Sequence, residues 1–242
     1  MTGAAYLSSV SALKIGAGYV ELASHENVLK AAASYTPEIV LAPVEKIPEL
    51  LKQATVLLIG CGLSTTDKAK SVFYNTIEQR GDIPTVIDAD GLNILAQTDF
   101  SFDGNVILTP HPKEASRLLS CTLEDVLENF DNSARKISLK YNCITVLKSH
   151  RTVVTSADGE IYHNTTGNSA LAKAGSGDVL AGMIAGLLAQ KMPVFEAAVL
   201  GVYLHGLAGD LAKEDLTAYG VLASDTVRYI PYAIKSLLTK NI

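Results

Sequence analysis

Gly175-Ser176-Gly177-Asp178 combines two kinds of chemistry in four residues. Glycines let backbone N–H groups turn toward an anion with no Cβ in the way. The apolar run that follows, Val179 to Gln190, reads as a helix whose N-terminus adds partial positive charge. Gly175, Ser176 and Gly177 therefore form an expected anion hole for phosphate. A carboxylate beside such a nest is electrostatically costly, so Asp178 either meets a cation or takes a proton from an attacking hydroxyl. The second role is that of the catalytic base in a small-molecule kinase. For a lone G-x-G-D, a first-turn Asp that only complements the helix dipole is the favoured explanation. The rest of the chain has to decide.

Four further polar loops follow short apolar runs. Val56–Ile59 breaks into Gly60-Cys61-Gly62-Leu63-Ser64, with Thr65-Thr66-Asp67 as helix-start chemistry. Thr85–Ile87 runs into Asp88-Ala89-Asp90-Gly91-Leu92-Asn93. Val106–Leu108 runs into Thr109-Pro110-His111-Pro112-Lys113-Glu114, and Ile144–Leu147 into Lys148-Ser149-His150-Arg151-Thr152. Each loop taken alone has a structural explanation: a turn at Gly60–Gly62, helix caps at Asp88 and Asp90, a brace for Pro-flanked backbone at His111, solvated surface charge at Lys148 and Arg151. Parallel strands collect their following loops at one sheet edge, where open α/β proteins bind ligands, so five such loops predict one shared site.

These segments must be positioned by alternating strands and helices, which predicts a three-layer α/β/α sandwich with a mainly parallel sheet. The Ala157-Asp158-Gly159 turn between β-rich runs in Arg151–Tyr162 predicts an antiparallel hairpin at the end of the sheet. Two more helices are expected, over Pro193–Lys213 and Leu222–Leu238. Gly182-x-x-x-Gly186 predicts a close-packed helix face. At 242 residues and 48% hydrophobic content, the chain is expected to form a single domain over 1–242. A net charge of −5 argues against a nucleic-acid partner, and 12 apolar residues from Val179 to Gln190 are too few for a membrane span. Three cysteines without C-x-x-C spacing favour a reducing, cytoplasmic setting. Five histidines without metal-ligand spacing argue against a protein-held zinc, and any metal is expected to be magnesium arriving with a nucleotide.

The motifs DADGLN, TPHPKE and GNSALAKAGSGDVLAG, together with GCGLS and the T-GAA start, resemble the ADP/ATP-dependent NAD(P)H-hydrate dehydratases of the ribokinase-like superfamily, over nearly the whole chain. The resemblance implies phosphorylation of the 6-hydroxyl of the hydrate of NADH or NADPH by ADP or ATP, with Mg2+. Elimination of phosphate then restores the reduced cofactor. It implies Asp178 as the base, and Ala4, Gly62, His111 and Asp178 as hydrate-binding residues. Lys148, Ser149, His150, Arg151, Thr152 and Gly177 are implied on the adenine nucleotide, in a homo-oligomer, a tetramer by family. Asp88 and Asn93 lie near the expected crevice. The family's first strand precedes the T-GAA segment, and that strand is expected to be missing here. The rivals are a vitamin-alcohol or sugar kinase of the same fold and a non-catalytic nucleotide-binding module, the latter disfavoured by Asp178.

Overall fold

The computed structural model describes residues 1–239. The chain opens with α1 (Thr2–Ile15), then β1 (Glu21–Ser24), α2 (Glu26–Ala32), β2 (Val40–Pro43) and the short α3 (Ile47–Leu50). There follow β3 (Leu57–Ile59), α4 (Asp67–Gln79), β4 (Thr85–Ile87), α5 (Asp90–Leu95), β5 (Val106–Leu108), α6 (Pro112–Leu119), α7 (Leu123–Glu128) and α8 (Phe130–Tyr141). The remainder is β6 (Ile144–Leu147), β7 (Val153–Thr155), β8 (Ile161–His163), α9 (Ser176–Ala189), α10 (Val194–Gly220) and α11 (Ala223–Thr239).

Strands β3 to β8 form one sheet in sequential order, while β1 and β2 pair in parallel as a separate two-stranded sheet. Pairing is parallel from β3 through β6, then antiparallel for β7 and β8. The expected hairpin is present, and the reversal begins one strand earlier, at the β6–β7 turn. Strands β4, β5 and β6 are buried along their whole length, which explains their unbroken apolar runs: successive side chains point to opposite faces, and both faces are covered. Val86, Ile107 and Val146 face a core shared with α1, α9, α10 and α11. Ile87, Leu108 and Leu147 face a second core beneath α4, α5, α6, α7 and α8. These are the three layers anticipated above.

The first layer is unusually tight where α1 meets α9. A methyl group on Gly182 would lie 2.1 Å from the Ser8 carbonyl oxygen, and one on Gly186 2.6 Å from that of Ala12. Buried Ser8, Ser9 and Ser11 keep their hydroxyls satisfied on the carbonyls of Ala5, Ala5 and Leu7. The small-residue face on α9 therefore fixes the depth of the α9 N-terminus against the sheet. α10 runs past the expected end at Lys213 and is kinked at Thr217, whose backbone is not helical (φ 65°, ψ 159°). By length and composition α10 could cross a membrane; half of its apolar window is buried within the fold.

Candidate active site

The parallel run from β3 to β6 brings the carboxyl ends of four strands, and the loops after them, to one edge. Thr66 caps α4 through Ala69 N at 3.4 Å, as its helix-start chemistry predicted. Gly60 has φ 119°, and a Cβ there would sit 1.9 Å from the Asp88 carbonyl oxygen, so the turn after β3 and the turn after β4 touch through their backbones. Asp90 reinforces the junction by accepting from Ser64 N at 2.7 Å. Asp88 does not cap α5. Its side chain, 1% exposed, turns inward and accepts from Thr109 Oγ1 at 2.8 Å and from Lys148 Nζ at 2.7 Å.

Lys148 is the central cation of the site. Burial pulls its ammonium pKa down, but Asp88 and Glu114 outweigh that effect and the net direction is up. Asp178 stands close by, and one ligand atom each from Cys61, Asp88 and Asp178 fall within 4.8 Å of one another. Burial, and then the Asp88 charge, raise the Asp178 carboxyl above its ordinary value, which makes it a stronger base when ionised. The Cys61 thiol donates to Asp88 Oδ2 at 3.8 Å; burial and the two carboxylates push its pKa well up, so it is a thiol rather than a thiolate. Glu114 is raised to about 7, chiefly by burial.

The segment expected to be an anion hole, Gly175–Gly177, lies at the entry to α9, where Ser176 N donates to the Lys173 carbonyl at 3.2 Å. Gly175 is left-handed (φ 92°) at the N-cap, and no side chain caps the helix, which leaves its N-terminal N–H groups free of side-chain partners. A Cβ on Gly177 would lie 3.1 Å from Lys148 Nζ, so the Lys148 charge lies directly beside the nest. Ser176 Oγ hydrogen-bonds His205 Nε2 at 3.3 Å beneath it.

The other predicted residues divide into three groups. Gly62 and Ala4 are neighbours: a Cβ on Gly62 would be 3.2 Å from that of Ala4, beside the Cys61–Asp178 corner. His111 caps α6, its Nδ1 accepting from Lys113 N (3.1 Å) and Glu114 N (3.2 Å), while Glu114 returns a bond to His111 N at 2.8 Å. The bracing role is thus present; Nε2 lies 3.4 Å from Glu114 Oε1, on a half-exposed ring whose pKa is lowered by burial and then by Lys148. Lys148 separates from the rest of its predicted loop. Ser149, His150, Arg151 and Thr152 form an exposed turn held by Ser149 N to Thr152 Oγ1 (3.3 Å) and Arg151 N to Ser149 Oγ (3.0 Å), whereas Lys148 points inward to Asp88. Asn93 binds Arg117 Nη1 at 2.5 Å, at the rim. Thr109, Glu114, Cys61 and His205 were not singled out from sequence, though TPHPKE and GCGLS contain three of them.

A carboxylate of raised basicity beside an uncapped helix N-terminus and a buried ammonium is equipped to deprotonate a hydroxyl as it meets a phosphoryl group. Residues 1–232 match the family model for NAD(P)H-hydrate dehydratase. The chain belongs to the NAD(P)H-hydrate dehydratase family. It is 42% identical, over 93% of its own length and 78% of the relative's, to the ADP-dependent (S)-NAD(P)H-hydrate dehydratase of Neisseria meningitidis. It also matches the bifunctional NAD(P)H-hydrate repair enzyme of Moorella thermoacetica at 38% identity, covering 98% of this chain and 48% of that protein; the chain spans about half of such bifunctional relatives. Among solved structures, an Enterococcus faecalis ribokinase-like superfamily protein superposes with TM-score 0.88 at 32% identity, covering 96% of this chain and 82% of that one. The Bacillus subtilis ADP/ATP-dependent NAD(P)H-hydrate dehydratase co-crystallized with ATP/Mg2+ gives 0.87 at 29%, covering 98% and 85%. The fold of this dehydratase family member is accordingly ribokinase-like.

Proposed function

We propose that this chain uses ADP or ATP to dehydrate the 6-hydroxylated hydrate of NADH or NADPH, returning the reduced cofactor to use. The observation that carries the reading is the placement of Asp178, its basicity raised by burial and by Asp88, between the α9 N-terminus and the Gly62–Ala4 corner. In this reading the hydrate lies along Ala4, Gly62 and the exposed part of the His111 ring, with its hydroxyl at Asp178. Asp178 accepts the hydroxyl proton, and the oxygen displaces the nucleotide from the terminal phosphorus. The N–H groups of Gly175 and Gly177, with Ser176 N turned to the Lys173 carbonyl between them, and the Lys148 ammonium stabilise the charge on the phosphoryl oxygens. The phosphate ester is a far better leaving group than hydroxide. Its departure with the C–O electron pair, and loss of the proton from the adjacent ring carbon, restore the double bond.

The adenine nucleotide fits the exposed turn Ser149–Thr152 on one side and Gly177 on the other, since both border Lys148. Magnesium favours oxygen ligands and retained waters, so a cluster that includes the Cys61 thiol suits it poorly, and Asp88 is already engaged by Lys148 and Thr109. The ion would therefore be held mainly by the nucleotide phosphates, and Asp178, which is not the carboxylate paired with Lys148, would be the one available to it. A cytoplasmic homo-oligomer completes the proposal; light scattering on the purified chain should give a mass above that of one 25.6 kDa protomer. The direct test of activity is incubation with NADH hydrate and either nucleotide. Recovery of the reduced-nicotinamide absorbance is expected, and phosphorylation of a vitamin alcohol or sugar with no action on the hydrate would overturn the reading.

A further inference from the structure

One face of α10 holds the loop that leads into the anion hole. His205, Gly206, Gly209 and Asp210 recur at helical spacing and touch four different points of residues 166–176. His205 Nε2 meets Ser176 Oγ at 3.3 Å, with both residues buried. A methyl on Gly206 would lie 2.2 Å from Thr166 Oγ1, which itself donates to the Tyr203 carbonyl at 2.7 Å. Gly209 packs against Leu171, 2.7 Å from where its Cβ would be. Asp210 accepts from Gly167 N at 2.9 Å through one oxygen and from Asn168 Nδ2 at 2.8 Å through the other. Between β8 and α9 the chain has only the 3₁₀ turn Ser169–Leu171 as regular structure, so these contacts supply the order that secondary structure does not.

None of these four residues has a part in the proton or phosphoryl transfer described above. Burial, and then Lys148, push the His205 imidazole down to about 4, so near neutral pH it is an uncharged hydrogen-bond partner. A nest of N–H donors is effective only if it is already oriented when charge develops, and a displacement of about 1 Å at such a site can cost on the order of 10²-fold in rate. Gly175, the residue at which the chain enters α9, is left-handed, and a Cβ there would lie 2.6 Å from Leu7 Cδ1 and 3.1 Å from Ala223 Cβ, so α1 and α11 close on it from one side. The loop before Gly175 and the Ser176 hydroxyl after it are held instead from α10.

We infer that the His205-Gly206-x-x-Gly209-Asp210 face of α10 is a clamp that pre-orients the anion hole. His205 is a positioning residue acting through the Ser176 hydroxyl, and Asp210 one acting through Gly167 N and Asn168. The catalytic consequence rests on the reading of Gly175–Gly177 as the phosphoryl nest; the ordering of the loop does not.

The test uses the full chain with His205→Leu, His205→Gln and Asp210→Asn, read by steady-state kinetics on NADH hydrate and by amide hydrogen exchange without substrate. Leucine fills the space and leaves Ser176 Oγ without its partner, whereas the glutamine amide reaches the position of Nε2. Expected for His205→Leu is a fall in kcat of about 10- to 100-fold with hydrate KM little changed, and recovery of most of that loss in His205→Gln. Exchange should rise about tenfold or more, on the local-opening scale, in residues 164–177 of His205→Leu and Asp210→Asn, and stay unchanged elsewhere. Unchanged exchange in that segment, an equal kcat loss in His205→Gln, or a rise spread over the whole chain would overturn the clamp. A wild-type chain that binds ADP but leaves the hydrate untouched would contradict the functional reading instead, and the exchange experiment would still decide whether α10 orders the loop.

Discussion

Replacing Lys148 with Met removes the one ammonium that Asp88 pairs with while keeping the length of the side chain. The carboxylate left behind is 1% exposed and retains only Thr109 Oγ1 and the weak Cys61 thiol as donors, with Asp178 close enough to repel it. Breaking a buried ion pair from one side costs about 3–5 kcal/mol. The loss has a ceiling, because the carboxyl can take a proton instead: from an unfolded value of about 3.9, neutralisation at pH 7 costs about 4 kcal/mol. Lys148→Met should therefore unfold about 3–4 kcal/mol more easily at pH 7. The proton that a buried, unpaired carboxyl takes up costs nothing at low pH and more as pH rises, so the deficit is absent at low pH and grows with pH. At pH 5 the same proton costs about 1.5 kcal/mol, and the deficit should shrink to about that. Asp88→Asn combined with Lys148→Met removes both charges and should recover about 2 kcal/mol of the loss at pH 7. Urea denaturation of the three variants at both pH values measures all of this. A deficit under about 1 kcal/mol at pH 7, or one of equal size at pH 5 and pH 7, would refute the assignment of Lys148 as the buried counter-ion of Asp88.

Glu114, raised to about 7 by burial, holds a proton in the folded chain that the unfolded chain has released, so stability falls as pH rises from its ordinary range to about 7. Glu114→Gln should gain about 2–3 kcal/mol relative to wild type between pH 5 and pH 8, and a pH-independent difference would show that the carboxyl is ionised throughout. Gly182→Ala pushes a methyl group to 2.1 Å from the Ser8 carbonyl oxygen and should cost at least about 1–3 kcal/mol in chemical denaturation. Gly3→Ala, with nothing within 4 Å, should change stability by less than about 1 kcal/mol. For the subsites, Arg151→Ala should weaken ADP binding by calorimetry. His111→Asn, which keeps an acceptor at the α6 cap, should leave ADP binding intact and raise the hydrate KM; the opposite pattern would mean the two subsites are exchanged.

Strands β4, β5 and β6 are legible to the residue because each is an apolar run closed by a polar terminator, and both faces of the sheet demand apolar side chains. β3 starts one residue later than its apolar run. β1 and β2 were not anticipated: they are four residues each, mostly half-exposed or exposed, and so carry no two-residue periodicity. The sequence pattern places the end of α10 at Lys213, because the helical periodicity weakens before the break at Thr217. The loops at the strand ends are legible in the sequence, but which of their side chains pair with one another is not. Lys148 was placed on the nucleotide turn with its neighbours, and only the adjacency of β4, β5 and β6 brings it 2.7 Å from Asp88, 60 positions away. His205 sits in an apolar stretch and looks like a core histidine from sequence. Its bond to Ser176 depends on how α10 docks on α9, set by Gly201 against Ile184, and no local spacing encodes that.

The central claim is that Asp178 takes the proton from the hydroxyl that receives the phosphoryl group. It is tested most directly by Asp178→Asn, comparing ADP-dependent recovery of NADH from its hydrate with ADP affinity measured on the same preparation. The amide keeps the shape and loses the basicity, so turnover should fall by about 10²- to 10⁴-fold while the ADP Kd stays within about threefold of wild type. Turnover close to wild type would contradict the claim, because asparagine serves a helix N-terminus about as well as aspartate does, and only a structural role for Asp178 would survive that result.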